Sequence, residues 1–312
     1  MGTPTNFAID EQAALSFAIE QHTHIEASVN EAPRPEIQYP RLVDVDTSAP
    51  DYAKTITYFS SDMYGRAKWI NGNSDDIPIA GTEMEKHESR IFTFGAGYRW
   101  GWEELGQAMH MNYPLQANDA NAARRSAEEF VDRLVLQGDA TKNITGLYNN
   151  PNVVVNPATF GGWLAGTVTE DQINEDVNVA LLGVGQATNF SISANTLLLP
   201  HTHYRILATR RLGDTSQTLL NYLMANNTYT AMTNLPLQII AVRGLETASA
   251  TGGPRMVAYR KDPDVVKLNM PMPHRFMGVY QDGPLNFVVP GVGRVSELEV
   301  RRTQEIQYVD GI

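Results

Sequence analysis

Two β-type runs, KTITYFSSDMY at 54–64 and RIFTFGAGYRWGW at 90–102, enclose about 25 polar, turn-rich residues. Both runs are rich in β-branched and aromatic residues, which suit a pleated, half-buried surface. Between them, GRAKWINGNSDDIPIAGTEMEKHESR carries Gly65, the turn signal Asn71-Gly72, Pro78 and Gly81, and no sustained apolar face. An excursion this long inside a compact domain is uncommon and usually functional. A lone two-stranded ribbon is also marginal in water. To be ordered, this one has to lie on a neighbouring surface, and another subunit is the expected neighbour.

The stretch 118–138, NDANAARRSAEEFVDRLVLQG, adds a rod. Ala120, Ala123, Ala127, Phe130, Val131 and Leu134 recur at spacings of three, four and seven, the period of one helix face. Asn118 or Asp119 is the expected cap, and Gly138 stands where a left-handed residue ends a helix cheaply. Arg124 with Glu128, Arg125 with Glu129, and Glu129 with Arg133 are spaced to lace the solvated faces. About 20 helical residues make a rod about 30 Å long.

Elsewhere the pattern is mixed. Residues 9–28 are helix-compatible, and the stretch after them carries Pro33, Pro35, Pro40 and Pro50, which reads as an extended arm. Residues 169–183 predict a helix capped by Thr169, and ANTLLLPHTHYRILA predicts a buried strand ended by Pro200, then a short helix. Residues 214–226 predict another capped helix, while 235–245, 255–261, 285–290 and 295–309 read as strands. Strands and helices occur without regular alternation, which points to an α+β fold. There is no internal repeat.

The chemistry-bearing patterns are sparse. His22-Thr-His24 and His201-Thr-His203 have the look of metal pairs, since alternate strand residues share a face, but no further ligand spacing supports them. Gly95-Ala-Gly97 and Gly291-Val-Gly293 lack the third glycine and helix start of a dinucleotide loop. Glu103-Glu104 reads as a pair of solvated helix-start residues. No nucleophile-elbow or phosphate-loop motif occurs. No catalytic, cofactor or metal residue is therefore assigned. The chain has no cysteine, so no disulfide holds it. Its first residues lack the basic and apolar regions of a secretory signal, and no apolar run approaches a membrane span. A net charge of −11 and isolated arginine pairs argue against tight, direct nucleic-acid binding.

The order of parts is more telling than any one motif. A proline-rich arm, a long β excursion, FGAGYRWGWEELGQA, a long helix ending in Gly138-Asp139 and then GLYNNPNV come first. They are followed by NTLLLPHTHYRILA, the SQTLLNYLMAN helix, VAYRKDPDVVKLNMPM and EVRRTQEIQYVDGI. This order resembles the encapsulin-like branch of tailed-phage major capsid proteins from about residue 50 onward. The resemblance implies the Hong Kong 97-type fold. It would make 1–52 an N-terminal arm, 53–102 an extended loop, 103–155 with 263–312 a peripheral domain, and 156–262 an axial domain. Residues 118–138 would be its spine helix, with Phe130, Val131 and Leu134 facing inward. The implied function is self-assembly, as pentamers and hexamers, into an icosahedral head enclosing double-stranded DNA without sequence-specific binding. Such a protein belongs to the virion and assembles in the host cytoplasm, with portal and scaffolding or decoration proteins as partners. An arm of about fifty residues with Met1 retained leaves no room for the large cleaved scaffold domain of some relatives, implying a separate scaffold or none. Lys68 and Lys86 both lie in the loop, but no asparagine partner for a covalent cross-link can be chosen, so an uncross-linked shell is expected.

Within the excursion, Trp69, Ile70, Ile77 and Ile79 are the expected apolar intersubunit contacts. Arg66, Lys68, Glu83, Glu85 and Arg90 are the expected polar rim. A nanocompartment shell holding an enzyme shares the implied fold and is the first alternative. A metal-dependent hydrolase using the histidine pairs is the second.

Overall fold

The computed structural model describes residues 34–70, 77–104 and 115–312. The helix expected at 9–28, His22 and His24, and the Asn71-Gly72 turn lie outside the described residues. A single turn, α1 (Tyr39–Leu42), holds Pro40 in its first turn and leads into β1 (Asp44–Asp46). Then β2 (Thr55–Tyr64) and β3 (Gly81–Gly95) pair as a hairpin, followed by β4 (Tyr98–Gly101). The rod is α2 (Leu115–Gln137). It starts three residues earlier than expected, so Asn118 and Asp119 lie inside the helix and do not cap it; Asp119 instead accepts from the Trp100 indole N–H at 2.9 Å. Gly138 follows at φ 76°, the left-handed stop its sequence position suggests. Of the three expected ion pairs along the rod, Arg125–Glu129 forms at 3.3 Å, while Arg133 lies over the Phe130 ring.

The short strands β5 (Gly138–Asp139) and β6 (Ile144–Thr145) then lead to β7 (Val154–Pro157). α3 (Glu170–Ala187) opens on the Thr169 cap, whose hydroxyl and the Gln172 side chain satisfy each other's backbone N–H in a capping box. β8 (Thr196–Leu199) ends at Pro200, from which α4 (His201–Thr209) starts. α5 (Leu219–Ala225), α6 (Thr228–Thr233) and β9 (Gln238–Ala241) come next. The chain closes with β10 (Arg255–Tyr259), β11 (Val266–Asn269), β12 (Met272–Phe276), β13 (Tyr280–Gln281), β14 (Asn286–Val289), β15 (Gly291–Ser296), β16 (Leu298–Val300) and β17 (Ile306–Asp310). The fold is α+β, as the pattern indicated.

A five-stranded sheet in the order β7-β17-β10-β8-β9 separates two hydrophobic clusters. Because strand side chains alternate, Val257 and Tyr259 of β10 and Leu198 of β8 enter one cluster with Val131, Leu134 and Leu147. Met256, Ala258, Leu197 and Leu199 enter the other with Trp163, Ile173, Val177 and Leu181 of α3. A strand covered on both faces reads as an unbroken apolar run, which is how β10 and β8 appear in sequence.

The stretch 81–90 departs from expectation. It looked like part of a turn-rich excursion, yet it is the first two-thirds of β3. Glutamate, lysine and histidine are poor strand formers, and here register with β2 overrides that bias.

Candidate intersubunit surface

The hairpin is built by ten consecutive residue pairs, from Thr55 opposite Arg90 to Tyr64 opposite Gly81. At about 3.3 Å per residue it is about 30 Å long. Beyond Arg90, Ile91–Gly95 of β3 pair with β15, so the root of the hairpin is part of a four-stranded sheet in the order β12-β15-β3-β2. The root is pinned further by Glu297, whose carboxylate accepts from the Arg90 backbone N–H at 3.2 Å and whose own N–H donates to the Arg90 carbonyl. From Gly81 to Arg90, β3 has only β2 as a strand partner among the described residues.

The two faces of the ribbon differ. Ile56, Tyr58, Ser89 and His87 share the face that turns to the chain's own body, and all are buried or half-buried. Tyr58 stacks on His87 at 4.9 Å and lies beneath the Arg301 guanidinium at 4.5 Å. Ser60 hydrogen-bonds the His87 ring at 2.8 Å, and Glu85 approaches the same ring at 3.7 Å. Burial pushes the Tyr58 phenol upward, with Glu299 adding to the effect. The opposite face carries Thr55, Thr57, Phe59, Ser61 and Met63 from β2, with Arg90, Glu88, Lys86, Met84 and Thr82 from β3; all ten are exposed.

The residues expected as tip contacts follow the outer end of the paired strands and are exposed to solvent. Trp69 is 103% exposed and Ile79 83%, with Ile70 and Ile77 also exposed. Arg66, Lys68, Glu83, Glu85 and Arg90 are exposed too. Glu83 and Glu85 share a face with Asp62, whereas Arg90 belongs to the other face at the root, so the five do not form one rim. Reading single residues missed Phe59, Met63, Met84 and Tyr64, which are equally exposed; the parity of the two strands finds them once the register is known.

On α2, Val131 and Leu134 are buried in the first cluster and Phe130 is half-buried against it, stacked on Phe94 at 5.4 Å. Beside them Asp132, fully buried, accepts from the backbone N–H groups of Gln38 and Tyr39 at 2.8 Å each and pairs with Arg243. The root of the N-terminal segment is thereby tied to the rod.

The histidine pair does not converge. His201 and His203 stand on a helix, so residues two apart diverge: His201 is exposed and His203 is buried against the terminal carbonyl of Ile312 at 3.1 Å. Among the described residues no group of three or more His, Asp or Glu side chains could hold a metal ion. No described helix is long and apolar enough to cross a membrane.

A family model described as "Major capsid protein" matches residues 65–312. The chain belongs to the major capsid protein family. The matched region runs from the outer end of the hairpin through α2 and every later sheet. No curated protein matches the capsid subunit's sequence. Its fold is similar to that of the capsid of Myoviridae phage XM1, at TM-score 0.80 and 17% identity over 94% of this chain and 98% of that one. A structure from Mycobacterium phage Ogopogo aligns at TM-score 0.62 and 14% identity, covering 95% of this chain and 98% of that one. The capsid of a native GTA particle aligns at TM-score 0.66 and 9% identity, covering 97% and 99%. The fold is the Hong Kong 97-type capsid fold, and the family's role is structural.

Proposed function

We propose that this subunit assembles with sister copies, as pentamers and hexamers, into an icosahedral phage head that encloses double-stranded DNA. The observation that carries the reading is the hairpin. Ten residue pairs project from a packed sheet, and the outer end exposes a tryptophan and three isoleucines that the chain's own cores leave uncovered. A shell needs heterologous contacts that close into rings. The same contact must close both fivefold and sixfold rings, which suits a rigid body with an adaptable ribbon reaching onto a neighbour. Many modest contacts per subunit then sum as in multivalent binding.

In this reading, residues 1–52 are the arm, 53–102 the extended loop, 103–155 with 263–312 the peripheral domain with α2 as its spine, and 156–262 the axial domain. Trp69, Ile70, Ile77 and Ile79 meet neighbouring subunits, assisted by Arg66, Lys68, Glu83, Glu85 and Arg90. A portal, and scaffolding or decoration proteins, are the further partners, and assembly takes place in the host cytoplasm. The net charge of −11 suits a container, because a lining that held phosphates tightly would hinder dense packing of DNA against the wall.

Negative-stain imaging of the purified, concentrated protein tests assembly: closed shells with fivefold and sixfold units are expected, and a persistent monomer under all assembly conditions would refute it. Particles isolated from infected cells should contain nuclease-protected double-stranded DNA; a single protein cargo without nucleic acid would instead identify a nanocompartment. Empty shells should release added DNA at physiological salt, and tight retention there would overturn the account of the lining.

A further inference from the structure

We propose that the hairpin is sided, and that the face seated on a sister copy is the one bearing Phe59, Met63 and Met84. The inference rests on the capsid reading and extends it from the tip of the ribbon to its whole length.

The first observation is which face the chain itself covers. At the root, the face of Ile56, Tyr58, His87 and Ser89 is closed by Arg301 and neighbouring groups, while the opposite face is open across all ten pairs. On that open face Phe59 is 62% exposed, Met63 83% and Met84 70%. Taking about 150–250 Å² for a fully exposed large side chain, these three offer roughly 400 Å² of exposed surface. That matches the largest apolar patch of an ordinary monomer, about 300–600 Å², a size that often marks a functional surface.

The second observation is charge, and it selects the occupant. The open face carries Lys86 and Glu88, which pair at 2.5 Å, and Arg90 at the root, so positive charge is in excess there. The other face has Tyr64 at its outer end but gathers carboxylates beside it: Asp62 stands directly opposite Glu83, with Glu85 next along the same strand. Like charges directly opposed already weaken a sheet pair. Pressing them onto another copy of a chain carrying a net charge of −11 would add further repulsion. The apolar face, with its excess of positive charge, meets no such barrier. A second copy is therefore received on the face of Phe59, Met63 and Met84, with Asp62, Glu83 and Glu85 turned to solvent.

Footprinting of shells against unassembled subunits tests this without altering the chain. Peroxide oxidation of Met63 and Met84 should slow about tenfold or more on assembly, while carbodiimide labelling of Asp62 and Glu83 should be unchanged; protection of the carboxylates with the methionines still reactive would overturn the assignment. The variant pair F59S/M84S should raise the concentration needed for assembly about tenfold, and D62S/E83S, at the same height on the other face, by less than about twofold. Equal losses from both pairs, or none from F59S/M84S, would also overturn it. All these residues are exposed in the free subunit, so circular dichroism should report unchanged folds. If the unaltered chain forms no shells, the capsid reading itself falls, and the sidedness with it; shells with the wrong face protected would sink the sidedness alone.

Discussion

Asp132→Ala should release the root of the N-terminal segment, and its cost can be apportioned atom by atom. One carboxylate oxygen of Asp132 accepts both the Gln38 and Tyr39 N–H groups at 2.8 Å, and the other takes Arg243. Truncation to alanine leaves two N–H donors unpaired at a site where Gln38 is buried, at about 1–3 kcal/mol each. Arg243 is 32% exposed at its side chain, so water replaces most of what it loses, and its share is about 1 kcal/mol or less. The expected loss is about 4 kcal/mol. Asp132→Asn separates the contributions, because its remaining carbonyl oxygen can still receive both N–H groups while its amide faces Arg243 donor to donor. It should lose only about 1 kcal/mol, the share of the ion pair. Urea denaturation of unassembled subunits measures both variants, and amide exchange at Gln38 and Tyr39 should accelerate strongly in Asp132→Ala alone. If Asp132→Asn costs as much as Asp132→Ala, the ion pair holds this root, not the backbone donors, and the reasoning fails.

Three further outcomes can be checked on the same subunit. Gly138→Ala should destabilise by about 2 kcal/mol or more in urea, because a left-handed backbone costs an L-residue about 1–2 kcal/mol and the new Cβ would meet the Ile144 carbonyl and crowd Gly146 N at 2.8 Å. Arg255 donates to both oxygens of Asp310 at 2.6 and 2.8 Å and to the Tyr148 carbonyl at 2.7 Å while lying over the Tyr308 ring; Arg255→Met should cost about 2–3 kcal/mol, since Asp310 keeps the Ser249 hydroxyl at 2.9 Å and some water while the Tyr148 carbonyl loses its donor. Burial holds the His203 imidazole below its ordinary value, so the native state resists protonation that the unfolded chain accepts. Its contribution is complete above about pH 6.5 and declines as pH falls through the folded value, so the thermal midpoint should drop on acidification from pH 7 towards 5. Asp46 behaves alike lower down: the Lys267 hydrogen bond, then Ser48, holds its carboxyl far below the usual range, so its support persists until pH falls below about 4. His203→Gln should flatten the first decline and leave the second.

What could be read in advance divides along the range of the interaction concerned. Thr169 with Gln172, Pro200 before α4 and Gly138 after α2 act within one turn, and a linear chain displays such signals directly, whereas the helix expected from 214 starts only at Leu219, on the Thr218 cap. The histidines at 201 and 203 resemble a metal pair only if alternation is read on a strand, and Pro200 beside them already signals the helix on which they diverge. Asp119 was mistaken for a cap because its partner, the Trp100 indole, is 19 residues away. Asp132 with Gln38 and Arg255 with Asp310 join residues 94 and 55 apart, and no spacing rule reaches that far.

The proposed surface has the same character. Trp69, Ile70, Ile77 and Ile79 were visible because each is an apolar residue in a polar stretch. Phe59, Met63 and Met84 become one stripe only when β2 and β3 are aligned, and Gly81–Arg90 hid that alignment behind a charged, histidine-bearing strand. That concealment follows from what such a ribbon must do. A long apolar edge hairpin recognisable as such would pair with any other exposed edge before a shell formed, and charges on edge strands are the usual protection against that outcome. Gathering Asp62, Glu83 and Glu85 on one face, and Phe59, Met63 and Met84 on the other, lets the free subunit stay apart from its copies while keeping one face able to receive them.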